Sequence, residues 1–139
     1  MARSWRFVFT CEGPEYCQEL SSLVRAGSNA VIFVMSNRGY AIEQAFVNLK
    51  GFDAGGTFAP YDVSPAWDYL ALAQAFGARS VRLSTTTDLM DFLEELSVPT
   101  VGPTIVEVII PERDLAPQLK RLAESPGTLR RYRRRESPI

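Results

Sequence analysis

The sequence predicts an α/β protein with a doubly wound, mostly parallel sheet and helices on both faces. Short apolar runs rich in β-branched residues recur along the chain, as at residues 31–35 (VIFVM), and are typical of strands buried on both faces. Between them lie segments with apolar residues at helical spacing, as at residues 15–26 (EYCQELSSLVRA). Strands that alternate with helices in this way form right-handed crossover units, in which the strands are parallel.

Four strands and about five helices are predicted in chain order. The first helix follows Pro14, which suits a first helical turn, and ends at Gly27. Residues 85–88 (TTTD) supply N-cap residues for a helix that runs to Leu96. The predicted strands are residues 5–10, 31–35, 79–84 and 104–110, and the predicted helices are 15–26, a segment that opens at Tyr40, 65–76, 85–96 and 113–125.

A long irregular stretch separates the second and third helices. Residues 49–65 contain three glycines and two prolines, with Phe52, Phe58 and Tyr61 among them. A loop of this length inside a compact domain is usually functional. Its aromatic side chains either cover the active region or pin the loop to the body, and both interpretations remain open.

The composition is that of an ordinary globular protein, large enough for one domain. The chain has 139 residues, of which 46% are hydrophobic and 22% charged. It contains no histidine, which excludes histidine-based triads and histidine metal sites. Cys11 and Cys17 are too few for a disulfide framework. We find no apolar run of membrane-spanning length and no secretory signal, so we expect a cytoplasmic location without membrane contact.

Positive charge is concentrated at the C-terminus. Residues 125–139 hold five arginines against one acid, a local charge of +4, whereas the whole chain has −1 and its remainder therefore −5. We predict a domain at residues 1–125 and a flexible, Arg-rich tail at 126–139. Contact of the tail with an acidic partner is an alternative. The acidic body argues against nucleic acid as that partner.

The segment at residues 31–43 predicts a binding site. A buried strand, a polar turn and the start of a helix follow one another there, and open α/β sheets hold ligands at such positions. Unpaired N–H groups and the positive end of the helix dipole suit a phosphate. Asn37 and the backbone of Gly39 offer hard oxygen ligands of the kind that Mg²⁺ accepts.

Other functional classes that share this fold class do not fit the sequence. A dinucleotide-binding unit needs Gly-x-Gly-x-x-Gly after the first strand, where residues 11–16 read CEGPEY. A P-loop is absent from the sequence, and so is the aspartate pattern of a phosphorylation receiver.

Several segments resemble the motifs of one family, the C-terminal diphosphate-binding (PP) domain of thiamine diphosphate (ThDP) enzymes. Residues 37–43 (NRGYAIE) resemble Asn-x-Gly-Tyr-x-Ile-Glu of the pyruvate and indolepyruvate decarboxylase branch. Cys11-Glu12-Gly13 and Ser36-Asn37 stand where the family has Gly-Asp-Gly and Asn-Asn. The resemblance covers roughly residues 5–122 and also includes residues 67–69 (WDY), 76–78 (FGA) and 103–108 (PTIVEV).

The resemblance implies ThDP and Mg²⁺ as cofactors, and a ThDP-binding fold of the PP type that lacks its first strand. Glu12, Asn37 and the backbone oxygen of Gly39 would bind Mg²⁺. The N–H groups after Gly13 and around Ile42 would contact the diphosphate.

The resemblance also implies an activity, the non-oxidative decarboxylation of a 2-oxo acid to an aldehyde. Glu43 matches the family's catalytic glutamate, which manages protons around the carbanion left by decarboxylation. In this family a pyrimidine-binding domain completes the active site. We therefore expect the chain alone to be inactive and to need a partner chain with that domain. A homo-oligomer is the other expected assembly, since a sheet without its first strand would expose apolar surface.

Departures from the family pattern leave alternatives open. Glu12 stands where the family has aspartate, and its carboxylate reaches about 1.5 Å further. Pro14 removes one N–H donor from the expected diphosphate site. One alternative is a degenerate, non-catalytic binding or interaction module that keeps the fold, and another is an unrelated flavodoxin-like interaction domain.

Overall fold

The computed structural model describes residues 7–11, 17–58, 67–96 and 101–124. The chain forms two compact units. We call them the sheet unit (Met1–Ser36 and Ala66–Ile110) and the loop unit (Asn37–Pro65 and Pro111–Ile139). Glu12, Gly13 and the predicted Arg-rich tail lie outside the described residues.

The sheet unit contains four strands in the described part of the chain: β1 Phe7–Cys11, β2 Val31–Ser36, β3 Arg79–Leu83 and β4 Thr104–Ile109. All neighbouring pairs are parallel, and the strands lie in the order β1-β2-β4-β3. Val31 pairs with Phe7 on one side and with Thr104 on the other, so β2 is an internal strand. The predicted parallel α/β fold is confirmed.

Five α-helices lie in the described ranges, and their ends follow local sequence signals. Thr85 and Asp88 form a capping box at the start of the fourth helix, as predicted for this segment. Gly27 and Gly77 end two helices with φ of 60° and 73°, a conformation that glycine adopts without steric cost. The helices are α1 Cys17–Arg25, α2 Ala41–Asn48, α3 Tyr69–Ala75, α4 Thr86–Glu95 and α5 Pro117–Glu124, and a 3₁₀ helix spans Leu49–Phe52.

Helices cover both faces of the sheet, because alternate residues of each strand point to opposite sides. On one face Phe33 and Val106 pack with Phe92 of α4, whose ring meets Phe33 edge-on at 6.2 Å. On the other face Val34 packs with Leu20 of α1 and with residues of α3. The other buried members of these two clusters are Val31, Leu83 and Leu96 on the first face, and Tyr69, Ala73 and Ile105 on the second.

Two helix starts differ from the sequence prediction. The last helix begins at Pro117 and not at Arg113, because the N–H of Asp114 donates to the carbonyl of Pro111 and closes a turn before the helix. The helix predicted at 65–76 begins at Tyr69. Asp68 is its N-cap, and the Asp68 side chain accepts a hydrogen bond from the Ala71 N–H at 3.1 Å.

Candidate functional site

The turn after β2 is sharply bent at Arg38. This residue has φ of 63°, in the left-handed region, which costs a non-glycine residue on the order of 1 kcal/mol. The Asn37 Oδ1 accepts a hydrogen bond from the Gly39 N–H at a long 3.4 Å. Because this bond is weak, most of the capacity of the Asn37 oxygen to accept a further donor or a cation is retained.

The N-terminus of α2 has no side-chain cap from its N-cap residue. Its N-cap residue, Tyr40, makes no side-chain hydrogen bond to the N–H groups of the first turn. These groups carry the positive end of the helix dipole, so the helix start offers donors and a favourable field to an anion. Glu43 lies in this first turn, as predicted.

Two predicted site residues in this turn face outward. Ile42 is 43% exposed, and Glu43 is also exposed. An exposed apolar side chain beside an exposed carboxylate leaves both groups available to a ligand or to another protein surface.

A small hollow in the loop unit brings the turn together with residues from other segments. Two predicted site residues, Asn37 and Gly39, line it. Its other lining residues are Arg38, Ala41, Gln44, Phe58 and Glu112. Phe58 belongs to the predicted aromatic loop. Gln44, which is only 2% exposed, and Glu112 carry no local sequence signal that predicts a place in this site.

The remaining predicted residues, Glu12 and Gly13, lie outside the described ranges. Glu12 follows Cys11, the last residue of β1, which pairs with Met35 in β2. Parallel strands end at the same edge of a sheet, so Glu12 follows a strand that ends beside the end of β2.

The donor set suits an oxygen-binding cation together with a phosphate. Asn37 offers an amide oxygen, Gly39 a backbone oxygen and Glu12 a carboxylate, and these are ligand types that Mg²⁺ accepts. No cluster of three or more His, Cys, Asp or Glu side chains occurs among the described residues. A magnesium site with one carboxylate does not need such a cluster. None of the described helices is long and apolar enough to span a membrane.

The parallel sheet and the strand–turn–helix after β2 define an α/β domain of the class that holds ligands at strand ends. Residues 15–108 match the family described as thiamine pyrophosphate enzyme, C-terminal TPP binding domain. A pyruvate decarboxylase of Aspergillus fumigatus is 33% identical over 115 residues, which cover 78% of this chain and 18% of that protein. The chain therefore belongs to the thiamine pyrophosphate (thiamine diphosphate) enzyme family, through its C-terminal domain, and its homologues include pyruvate decarboxylases.

Two further relatives agree with this assignment, and one solved structure shares the fold. Pyruvate decarboxylase isozyme 2 of Saccharomyces cerevisiae is 34% identical over 110 residues, covering 73% of this chain and 17% of that protein. A thiamine metabolism regulatory protein of the same yeast is 31% identical over 102 residues, which cover 70% of this chain and 16% of that protein. Benzoylformate decarboxylase of Polynucleobacter necessarius has a similar fold, with a TM-score of 0.64 and 24% identity over 80% of this chain and 20% of that one.

The chain spans about a fifth of the length of the relatives it matches. Family membership argues against the unrelated flavodoxin-like domain that the sequence alone left open.

Proposed function

We propose that this chain is the ThDP- and Mg²⁺-binding C-terminal portion of a 2-oxo acid decarboxylase, and that a pyrimidine-binding domain from elsewhere completes the active site. The observation that carries the proposal is the coincidence of two features. The family match includes residues 37–43, and these residues form a strained turn before an uncapped helix start. In our proposal the domain comprises residues 1–125.

Three oxygen donors are proposed to hold the metal: the Glu12 carboxylate, the Asn37 amide oxygen and the Gly39 backbone oxygen. The weak Asn37 to Gly39 hydrogen bond supports this role, since little is lost when Oδ1 turns to a cation. The N–H groups after Gly13 and around Ile42 would donate to the diphosphate. Family resemblance and the absence of a side-chain cap from Tyr40 at the start of α2 support this assignment.

Bound ThDP supplies an electron sink for the carbanion that forms when a 2-oxo acid loses carbon dioxide. The proposed task of Glu43 is to hold and deliver a proton at the reacting centre. Its carboxylate lies in the first turn of α2, one residue after Ile42, and is exposed in this chain. An exposed carboxylate fits an active site that a second domain covers, because that domain would exclude water from it.

A calorimetric titration of ThDP into the purified chain, with and without Mg²⁺, tests this function. We expect binding that requires Mg²⁺ and that weakens by about tenfold or more in Glu12→Ala and in Asn37→Ala. Asn29→Ala is the matched control, because Asn29 follows the turn that ends α1 in the sheet unit. Glu43→Gln should retain binding, because its proposed role is proton transfer. Absence of binding at millimolar ThDP would contradict the proposal.

A second function, a non-catalytic binding or regulatory module that keeps the fold, is favoured by two observations. One relative is a thiamine metabolism regulatory protein, and residues 11–13 read CEG where the family pattern is Gly-Asp-Gly. Such a module would bind ThDP weakly or not at all. When combined with a pyrimidine-binding domain, it would also fail to release an aldehyde from a 2-oxo acid.

A further inference from the structure

Arg113 contacts one loop at several points. Its Nη1 donates hydrogen bonds to the carbonyl oxygens of Gly51 and, at 3.4 Å, of Asp53. Its Nη2 donates to the carbonyl of Gly56 at 2.7 Å. The guanidinium carbon also lies 4.8 Å from the centroid of the Phe58 ring. One side chain therefore gathers three carbonyl groups and an aromatic ring from residues 51–58, and we call this arrangement the Arg113 clasp.

The loop has the compact shape that the Arg113 clasp requires. A Cβ atom on Gly56 would lie 2.7 Å from the carbonyl oxygen of Gly51, and one on Gly51 would lie 2.9 Å from Cδ1 of Phe58. The rings of Phe52 and Phe58 meet edge-on at 4.9 Å, and the Asn48 side chain donates to the Thr57 carbonyl at 3.2 Å. Three carbonyl oxygens that converge on one point repel each other unless a cation lies between them. The Arg113 guanidinium supplies that cation with fixed geometry.

The Arg113 clasp is continuous with the hollow beside the proposed metal ligands. Phe58, whose ring the guanidinium contacts, lines that hollow together with Asn37 and Gly39. Glu112, the residue before Arg113, lines it as well. The side chain of Arg113 thus contacts a residue that forms one wall of the hollow.

We propose that Arg113 is a positioning residue for the cofactor site, which fixes the Phe58 ring as an apolar wall against the turn that carries Asn37 and Gly39. This inference rests on the proposed function. An apolar wall strengthens the attraction between oxygen ligands and a cation, because it keeps water away from them. Lysine cannot replace Arg113, because an ammonium group lacks the planar fork that reaches several carbonyls at once.

The test is a double-variant cycle on Mg²⁺-dependent ThDP binding, measured by calorimetry with Arg113→Lys, Phe58→Leu and the double variant. We expect each single variant to raise the ThDP dissociation constant about tenfold. The double variant should raise it by about the same factor and not about a hundredfold, because both changes disturb one wall. Arg121→Lys, an exposed arginine on α5 of the same unit, should leave the constant unchanged within about twofold.

Urea unfolding of the same variants separates positioning from stability. A purely structural role would lower the midpoint in Arg113→Lys while the folded protein kept the wild-type dissociation constant, and this result would overturn the inference alone. A hundredfold effect in the double variant would also overturn it, because Arg113 would then act independently of Phe58. If the wild-type chain does not bind ThDP at all, the proposed function fails, and this inference fails with it.

Discussion

Arg82 in the sheet unit and Arg113 in the loop unit hold their surroundings by different chemistry. Arg82 donates from Nε to the Glu107 carboxylate at 2.7 Å, across two strands in register, and its Nη2 lies 3.9 Å from Asp68. The hydrogen bond to Glu107, and then the negative charge of that carboxylate, raise the pKa of Arg82, so this guanidinium stays charged at any physiological pH. Arg113 instead meets neutral carbonyls and a ring.

This difference predicts which property a mutation in each unit should change, the free energy of unfolding or the affinity for a ligand. In the sheet unit, apolar residues from two layers of helices and one buried carboxylate depend on one another, so changes there alter the free energy of unfolding. In the loop unit, hydrogen bonds to backbone atoms give residues 51–58 their shape, so changes there should alter ligand affinity. We therefore expect variants in the core of the sheet unit to change the free energy of unfolding more than the affinity for ThDP.

The largest expected effect is on the core of the sheet unit. Phe92 is 4% exposed and packs edge-on against Phe33. Phe92→Ala should lower the free energy of unfolding by about 4 kcal/mol, because it removes buried apolar contacts and leaves a cavity. Met90→Ala on the same helix is the control, since Met90 is 55% exposed and should cost less than about 0.5 kcal/mol.

Urea unfolding measures the loss of stability in Phe92→Ala. A ThDP titration at a urea concentration low enough to keep the variant fully folded measures its dissociation constant. An unchanged dissociation constant supports the contrast between the two units. A weakened one would mean that core packing in the sheet unit also shapes the cofactor site.

The second expected effect is a difference in stability cost between substituting the two partners of the Arg82–Glu107 ion pair. The Glu107 side chain is 4% exposed, whereas that of Arg82 is 45% exposed. Arg82→Ala should therefore lower the free energy of unfolding more than Glu107→Gln does, because it leaves a buried carboxylate without its partner. Glu107→Gln should cost less, because the arginine left behind is partly in water.

Urea unfolding curves of the two variants and of the wild type at pH 7 measure both costs. Equal costs for the two substitutions would show that burial does not decide the strength of this pair.

The sequence predicted the sheet unit well, because its signals are local. The apolar run at 31–35 places a strand where β2 lies, and Thr85 with Asp88 marks the start of α4. The sequence could not predict the start of α5 with the same accuracy. Arg113 was assigned to the last helix, yet its carbonyl partners lie about 60 residues away in the chain. No spacing rule within a helix detects such contacts.

The candidate site was predictable in part for the same reason. Residues 37–43 are contiguous, so their resemblance to a family motif could be seen in the sequence, and the structure gives them a turn and a helix start. Gln44, Phe58 and Glu112 meet them only in the folded loop unit. The roles of Glu12 and Asn37 stay predictions until ThDP binding is measured, and the role of Glu43 stays a prediction until aldehyde release is measured with a pyrimidine-binding domain present.

The smallest expected effect concerns Asp88 at the start of α4. Its carboxylate accepts hydrogen bonds from the backbone N–H groups of Ser84 at 2.8 Å and Thr85 at 2.9 Å. The hydrogen bond with Ser84 makes the largest contribution and those with Thr85 follow. Together they lower the pKa of Asp88 below its ordinary value near 4. The folded state therefore binds the Asp88 proton less readily than the unfolded chain does. The resulting stabilisation is fully present above about pH 4 and is lost as the pH falls towards the lower folded value.

Asp88→Asn should remove this pH-dependent contribution while Thr85 continues to cap the helix. The difference between wild type and variant in the free energy of unfolding should be constant near neutral pH and should shrink below about pH 4. Urea unfolding across this range measures it, with Asp91→Asn as a control for the loss of one negative charge on α4. The Mg²⁺-dependent affinity for ThDP should not change in either variant, because neither Asp88 nor Asp91 is among the proposed cofactor ligands. A difference that persists undiminished to pH 2 would mean that Asp88 acts through its neutral form, as a helix cap, and not through its charge.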